Sequence, residues 1–265
     1  MFRPQPHRSA RLAPGLALGL ALVVTAACAP SSPPEVSNAE AVAQALTAPA
    51  RAADQPADAR RHPAELVGLS GLHEGQRVLD LIPGGGYWTR IFSGVVGPQG
   101  RVYSVWPKAY ADQQSHSVQL LRDAAGAAPW ANVAVLVQPT TDLTAPEPVD
   151  VVWTSQNYHD YNDPFMGSPG SRTLAAAAFR ALKPGGVFIV IDHASAPGRG
   201  LADTEALHRI DPGAVRSEAL AAGFEFAGES KVLANPADPL NIPVFDSAIR
   251  GHTSQFALKF RKPMG

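Results

Sequence analysis

Two polar clusters in this 265-residue chain carry residue types suited to moving protons. One is Gln156-Asn157-Tyr158-His159-Asp160-Tyr161, and the other is Asp192-His193. Each stands at the end of an apolar run that reads as a β-strand, Val149–Thr154 and Val187–Asp192. A histidine in water titrates near pH ~6.5, so it can take up and return a proton at neutral pH. We therefore expect His159 to be a general base, with Asp160 orienting it. The alternative is a solvated loop of ordinary turn residues. His159, Asp160, Asp192 and His193 are also potential ligands of a divalent ion. Spacing across loops fixes no coordination geometry, however, and carboxylates serve equally well as helix caps. The reading taken is that no metal is bound.

A third chemical feature is a turn. Val78-Leu79-Asp80-Leu81-Ile82 runs into Pro83-Gly84-Gly85-Gly86-Tyr87-Trp88. Consecutive glycines between a strand and a helix let the backbone pass close to a ligand, where a Cβ would collide. A dinucleotide fingerprint needs G-x-G-x-x-G. Here Gly86 is followed by Tyr87-Trp88-Thr89, so the third glycine is missing.

Asp80, Gly84 and Gly86 resemble the first motif of class I S-adenosylmethionine (SAM)-dependent methyltransferases, an acid at a strand end followed by a Gly-rich turn. Ile82 stands where that motif has its first glycine. Leu182-Lys183-Pro184-Gly185-Gly186 is similar to the turn before the fifth strand of the same superfamily. Asp150-Val151-Val152-Trp153 and Ala222-Gly223-Phe224 fit its fourth and sixth strands. A narrower resemblance, to exported and poorly characterised methyltransferases of bacteria, rests on the Pro-Gly-Gly-Gly-Tyr turn, Arg61-His62-Pro63 and His208-Arg209-Ile210-Asp211.

The resemblance implies SAM as cofactor and a small-molecule acceptor. It places the cofactor against Asp80, Gly84, Gly85, Gly86 and Tyr87, with Trp106 at the ribose or adenine and Asp142 on the adenine side beside Gln138. Methyl transfer is an in-line displacement on a sulfonium, so such a site must exclude water and align the acceptor. At the end of the second strand, Val105-Trp106-Pro107 lacks the acid that usually holds the ribose hydroxyls. Trp106 can stack, but it cannot accept two hydroxyl bonds. Asp142 is equally a turn residue in Thr140-Thr141-Asp142. Tyr87 and Trp88 either face the sulfonium or pack beneath the sheet. His208, Arg209 and Asp211 either gate the cleft or cap a helix. Arg61 and His62 either cover the cofactor or stand exposed before Pro63. A protein that keeps this fold but only binds a small ligand is the alternative function, and a dinucleotide oxidoreductase ranks behind it.

These residues need a scaffold, and the pattern supplies one. Short apolar runs alternate with Ala/Leu-rich helical segments, as in a parallel sheet covered on both faces. Strands are expected at Arg77–Ile82, Arg101–Trp106, Val133–Val137, Val149–Thr154 and Val187–Asp192. Helices are expected at Pro63–Leu69, Tyr87–Val95, Ala109–Ala125, Ser171–Leu182 and Pro212–Ala222. Phe224–Val232 and Gln255–Phe260 follow without an intervening helix and suit an antiparallel pair. The fold class is therefore an α/β, Rossmann-like, seven-stranded and mostly parallel sheet. Ligands of such sheets bind at the carboxyl ends of the strands.

The N-terminus is different in kind. Arg3, Arg8 and Arg11 precede the apolar run Leu12–Val24, and Thr25-Ala26-Ala27 leads into Cys28, the one cysteine of the chain. A basic head, a short apolar core and a small-residue zone compose a signal peptide. The stretch resembles a bacterial lipobox, which implies a lipid on Cys28 and a protein held at the periplasmic side of a membrane surface. Residues 29–60, rich in Ala and Pro, read as a flexible tether, although Asn38–Leu46 suits a short helix. Residues 61–265 form the domain. Beyond residue 28 the chain keeps 19 basic against 23 acidic residues. That balance leaves no basic footprint for nucleic acid.

Overall fold

The computed structural model describes Met1, Phe2 and residues 38–265. The expected signal segment from residue 3 on, Cys28 and the first part of the tether lie outside the described residues. The chain divides into two units, Met1–Glu35 and Val36–Gly265, and every helix and strand among the described residues belongs to the second. No helix among the described residues is long and apolar enough to cross a membrane.

Three helices come first, α1 (Asn38–Thr47), α2 (Asp58–Arg61) and α3 (Pro63–Ser70). Alternation then sets in with β1 (Arg77–Leu81), α4 (Tyr87–Val96) and β2 (Arg101–Pro107). It continues through α5 (Lys108–Gln113), α6 (Ser115–Ala124), β3 (Val133–Gln138), β4 (Val149–Ser155), α7 (Ser171–Ala181) and β5 (Leu182–His193). The chain ends with α8 (Thr204–Leu207), α9 (Pro212–Ala221), β6 (Glu225–Ser230) and β7 (Gln255–Arg261). The sheet order is β3-β2-β1-β4-β5-β7-β6. The first five strands are parallel, and β7 runs antiparallel between β5 and β6. This is the mostly parallel, seven-stranded sheet with an antiparallel C-terminal pair that the sequence predicts.

The central strands read as continuous apolar runs because both of their faces are covered. Leu79, Leu81, Val152, Phe188 and Val190 pack against Val118, Leu174, Ala178 and Val215 from α6, α7 and α9. The alternate residues Val78, Val151, Trp153 and Ile189 pack against Leu66, Val67, Ile91 and Phe92 from α3 and α4. On this second face Trp88 lies 4.8 Å from Trp153 and 6.0 Å from Phe92, centroid to centroid. Burying each large side chain contributes roughly 2–3 kcal/mol.

Three local differences from the sequence reading have physical causes. The single helix expected over Ala109–Ala125 breaks at Gln114 into α5 and α6. The break falls in Asp112–Ser117, a run with no apolar residue to hold one face on the sheet. Strand β5 begins at Leu182, because Leu182 already pairs with Val149 ahead of the glycines.

The tether reading of 29–60 does not describe residues 38–60. They fold onto α4: Val42 and Ala45 are buried there, and Gly94 is what lets α1 approach. A Cβ at Gly94 would stand 2.8 Å from that of Ala45. Arg51, only 1% exposed, donates to the Leu46 carbonyl and to Asp58, and Arg90 bridges to Asp54. Low apolar content misled the sequence reading, since polar clamps do much of the fastening.

β2 and β4 flank β1 on opposite sides, so the loops leaving β1 and β4 diverge. This is the switch in strand order where open α/β sheets leave a crevice.

Candidate active site

A cavity of about 500 Å3 occupies that crevice. Its floor is the turn after β1, Ile82 to Gly85, and its far wall is Ser155, Gln156, Asn157, His159 and Asp160 at and beyond the end of β4. Arg61 and Tyr87 close one side, Tyr110, Gln113 and Gln114 another, and His193, His208 and Phe245 complete it. Glycine matters at two of these positions. An added Cβ would meet no heavy atom within 4 Å at Gly84 or Gly85, so both leave open space over the turn.

His159 and Asp160 sit in a buried 3-10 turn, His159–Asn162, and meet at the wall. His159 Nδ1 donates to Asp192 Oδ1 at 2.8 Å, and its Nε2 lies 3.0 Å from Asp160 Oδ1. Tyr110 donates its hydroxyl to the other Asp160 oxygen at 3.1 Å. His208 Nδ1 approaches His159 Nε2 at 3.4 Å. Burial opposes a charge on His159, but Asp192 and Asp160 outweigh it and push its pKa up to about 10. Burial also disfavours the Asp160 charge. The bond from His159 and the proximity of His208 prevail there, holding Asp160 down at about 2. His193 is different: burial lowers it to about 4, and its Nδ1 is paired with the Thr253 hydroxyl. The wall thus sets the His159 ring between two carboxylates, an arrangement that favours its charged form.

Arg61 offers a second charge. Its guanidinium lies 4.5 Å from the Tyr87 ring centroid, and burial lowers its pKa. Its Nε is buried without a hydrogen-bond partner among the described residues. Tyr87 itself donates to Asp58 at 2.6 Å.

Backbone strain gathers at the same place. Ile82, Gln156 and His208 all line the cavity with φ of 52°, 64° and 53°. Non-glycine residues held there cost about 1–3 kcal/mol each and tend to mark binding or catalytic sites. The β-branched Ile82 is the most strained of the three.

No known family profile and no curated protein matches this sequence. Solved structures do. A SAM-dependent methyltransferase from Aquifex aeolicus superposes with a TM-score of 0.56 at 19% identity, over 79% of this chain and 94% of its own. The [4+2]-cyclase SpnF gives 0.58 at 19%, over 78% and 82%. The glycopeptide N-methyltransferase MtfA, solved with SAM, gives 0.51 at 14%, over 76% and 86%. This chain has the Rossmann-like methyltransferase fold. A cyclase among its neighbours shows that the fold does not by itself name a reaction.

Within the methyltransferase fold, the residues singled out in the sequence separate into two groups. Gly84, Gly85, Tyr87, His159 and Asp160 meet at the cavity. Asp80, Gly86, Trp106 and Asp142 are not among its walls. Asp80 is 1% exposed and accepts from the Thr89 hydroxyl at 2.6 Å, which ties β1 to α4. A Cβ at Gly86 would strike Arg90 and Leu121 at 2.9 Å, so that glycine serves packing. Trp106 is fully buried beside Tyr110, and Asp142 is exposed in a turn. Trp88 touches the cavity but packs mainly on Trp153 and Phe92.

The distal trio also resolves. Asp211 caps α9 through the Gly213 N–H at 2.7 Å. Arg209, fully buried, pairs with Asp238 at 2.9 Å and bonds the Ala194 and Ile242 carbonyls. Only His208 reaches the cavity. Sequence reasoning missed Tyr110, Gln113 and Gln114. Their position follows from the break between α5 and α6, and the apolar gap at Asp112–Ser117 was the available signal.

Proposed function

We propose that this chain is a SAM-dependent methyltransferase acting on a small-molecule acceptor, exported and held at the periplasmic face of a membrane by a lipid on Cys28. One observation carries the reading. The open Gly84–Gly85 turn and the Arg61 guanidinium, with its Nε unpaired, share one cavity with the His159–Asp160 wall.

The methionine half of SAM fits these residues. The glycines leave room for the backbone of a ligand, and Arg61 presents a planar fork suited to a carboxylate. The ribose half lacks its usual acid. Gln113 and Gln114 line the cavity from the segment after β2, and their carboxamides both donate and accept hydrogen bonds. Bound SAM would supply an electrophilic methyl group on its sulfonium. The chain's own part is to hold the acceptor against His159 and Asp160, and to exclude water with Phe165 and Phe245.

Calorimetry on the purified protein tests the reading. SAM and S-adenosylhomocysteine should bind and NAD should not, and Arg61→Met should weaken SAM at least about 10-fold. Silence toward SAM would turn the assignment to the second reading, a binding protein for another small ligand. That reading is favoured by the burial of Trp106 where a ribose-binding group is expected. Export has a separate test. Cys28→Ser should abolish lipid labelling and release the protein from the membrane fraction, and unchanged labelling would remove the anchor from the proposal.

A further inference from the structure

Three donor atoms, two from the turn after β4 and one from the end of α8, converge on the cavity wall. His159 Nε2 and Asp160 Oδ1 are 3.0 Å apart, His159 Nε2 and His208 Nδ1 are 3.4 Å apart, and Asp160 Oδ1 and His208 Nδ1 are 3.9 Å apart. A triangle with these edges has a centre about 2 Å from every corner, which is the bond length of zinc to imidazole nitrogen or carboxylate oxygen. We propose that His159, Asp160 and His208 form a binding site for a divalent transition-metal ion, with an open coordination position toward the cavity.

The surroundings are built as such a site requires. A ligating histidine needs its other ring nitrogen tied to an acceptor, which fixes the tautomer and aims the ligating lone pair. Asp192 does this for His159: it takes the Nδ1–H at 2.8 Å and leaves Nε2 for the triangle. Tyr110 steadies Asp160 through the oxygen that is not in the triangle. His208 is held in the left-handed region at φ 53°, and the buried Arg209–Asp238 pair anchors its neighbour.

Donor chemistry selects the ion. Two imidazoles and one carboxylate suit zinc, cobalt, nickel or ferrous iron, whereas magnesium and calcium prefer all-oxygen shells. Asp192 and His193, which the sequence also offered as ligands, are committed elsewhere, to His159 and to Thr253. Three protein ligands and an open position are the pattern of reactive rather than structural zinc sites. All three ligands line the cavity, so an open position would be reached from its interior and would take an oxygen or nitrogen of whatever the cavity holds. This inference goes beyond the methyl-transfer reading and does not depend on what the glycine turn binds.

The test uses metal alone. The full chain, stripped with chelator, is titrated calorimetrically with Zn2+ and with Mg2+, and its Co2+ form is examined by visible absorption and proton NMR. We expect one Zn2+ per chain with micromolar or tighter affinity and no heat from Mg2+. The Co2+ form should show ligand-field bands and paramagnetic shifts on the His159 and His208 rings. His208→Asn, chosen because Asn tolerates the left-handed backbone, should weaken Zn2+ at least 10-fold with the thermal transition unchanged. Absence of Zn2+ binding, or binding that His208→Asn leaves intact, would overturn the site. If the variant unfolds, the Co2+ shifts on the parent protein decide alone: unshifted ring signals reject the assignment. SAM takes no part in these measurements, so this inference and the methyltransferase reading fail separately.

Discussion

Asp192 holds His159 twice. One carboxylate oxygen accepts the ring Nδ1–H at 2.8 Å and the other accepts the His159 backbone N–H at 2.9 Å. The end of β5 therefore fixes both the position and the ring plane of a residue on the neighbouring strand's loop. The first oxygen also accepts the backbone N–H of His193, and the carboxylate is fully buried.

Asp192→Asn keeps the volume but removes the charge and gives one of these positions a donor in place of an acceptor. Hydrogen bonds to charged groups contribute about 1.5–3 kcal/mol each, and a buried group left unpaired costs a similar amount. We expect a stability loss of about 2–4 kcal/mol in denaturant titration, with the slope of the transition unchanged. In chelator-treated protein the ring nitrogen signals of His159 should move as well. A loss below about 0.5 kcal/mol would mean that the carboxylate does not carry the arrangement.

Gly85 and Gly86 are adjacent, yet substitutions at them should separate binding from folding. Gly85 faces the cavity, and a Cβ there meets nothing. Gly85→Val should preserve the thermal transition while reducing SAM affinity by at least about 10-fold through steric exclusion. Gly86→Val meets Arg90 and Leu121 at φ 81°, so it should lower the melting temperature whether or not ligand is present. Equal SAM affinity in the folded Gly85→Val variant would leave the turn a purely structural one.

The strand pattern made the sheet legible, because parallel strands buried on both faces need continuous apolar runs and little else does. The Pro83–Gly86 turn and the polar ends of β4 and β5 were legible for a related reason, since strand ends are where this architecture leaves space. What stayed hidden depended on side-chain direction. Asp80 has a motif's residue type at a motif's position, but its carboxylate turns inward to Thr89. His208 reaches His159 across 49 residues, through a loop fixed by the Arg209–Asp238 pair, and no sequence spacing encodes that approach. Within residues 38–60 the short helix at Asn38–Leu46 was legible, but its docking onto the domain was not, because the Arg51 clamp leaves no apolar periodicity.

That docked segment gives its own prediction. Gly94→Ala places a methyl group 2.8 Å from the Ala45 Cβ and 3.2 Å from its Cα, so α1 must shift. Overpacking of this kind costs about 1–3 kcal/mol. Limited proteolysis should then cut within 38–60 well before the sheet, whereas the parent resists. A variant with parental stability and cleavage would show that α1 does not depend on this contact.

The buried carboxyl of Asp80 should make stability depend on pH. Burial pushes its pKa from 3.8 up to about 7, against the lowering effect of its bonds from Thr89. A carboxyl raised in the folded state binds its proton more tightly there than in the unfolded chain. Its contribution to stability is therefore complete below about pH 4 and is lost as pH rises through about 7. The whole span corresponds to at most about 4 kcal/mol. Asn resembles the protonated acid in shape and can still accept from Thr89, so Asp80→Asn should match the parent near pH 4 and exceed it at pH 8. Other carboxylates titrate in the same window, and the difference between the two stability curves removes them. That difference should open between pH 4 and 7 and stay flat above about 8. Because Asp80 does not line the cavity, Asp80→Asn should leave SAM affinity within about 3-fold, a change below 1 kcal/mol. Parallel stability curves would show that Asp80 is ionised at little cost. A collapse of ligand affinity with stability retained would return this carboxylate to the cofactor site.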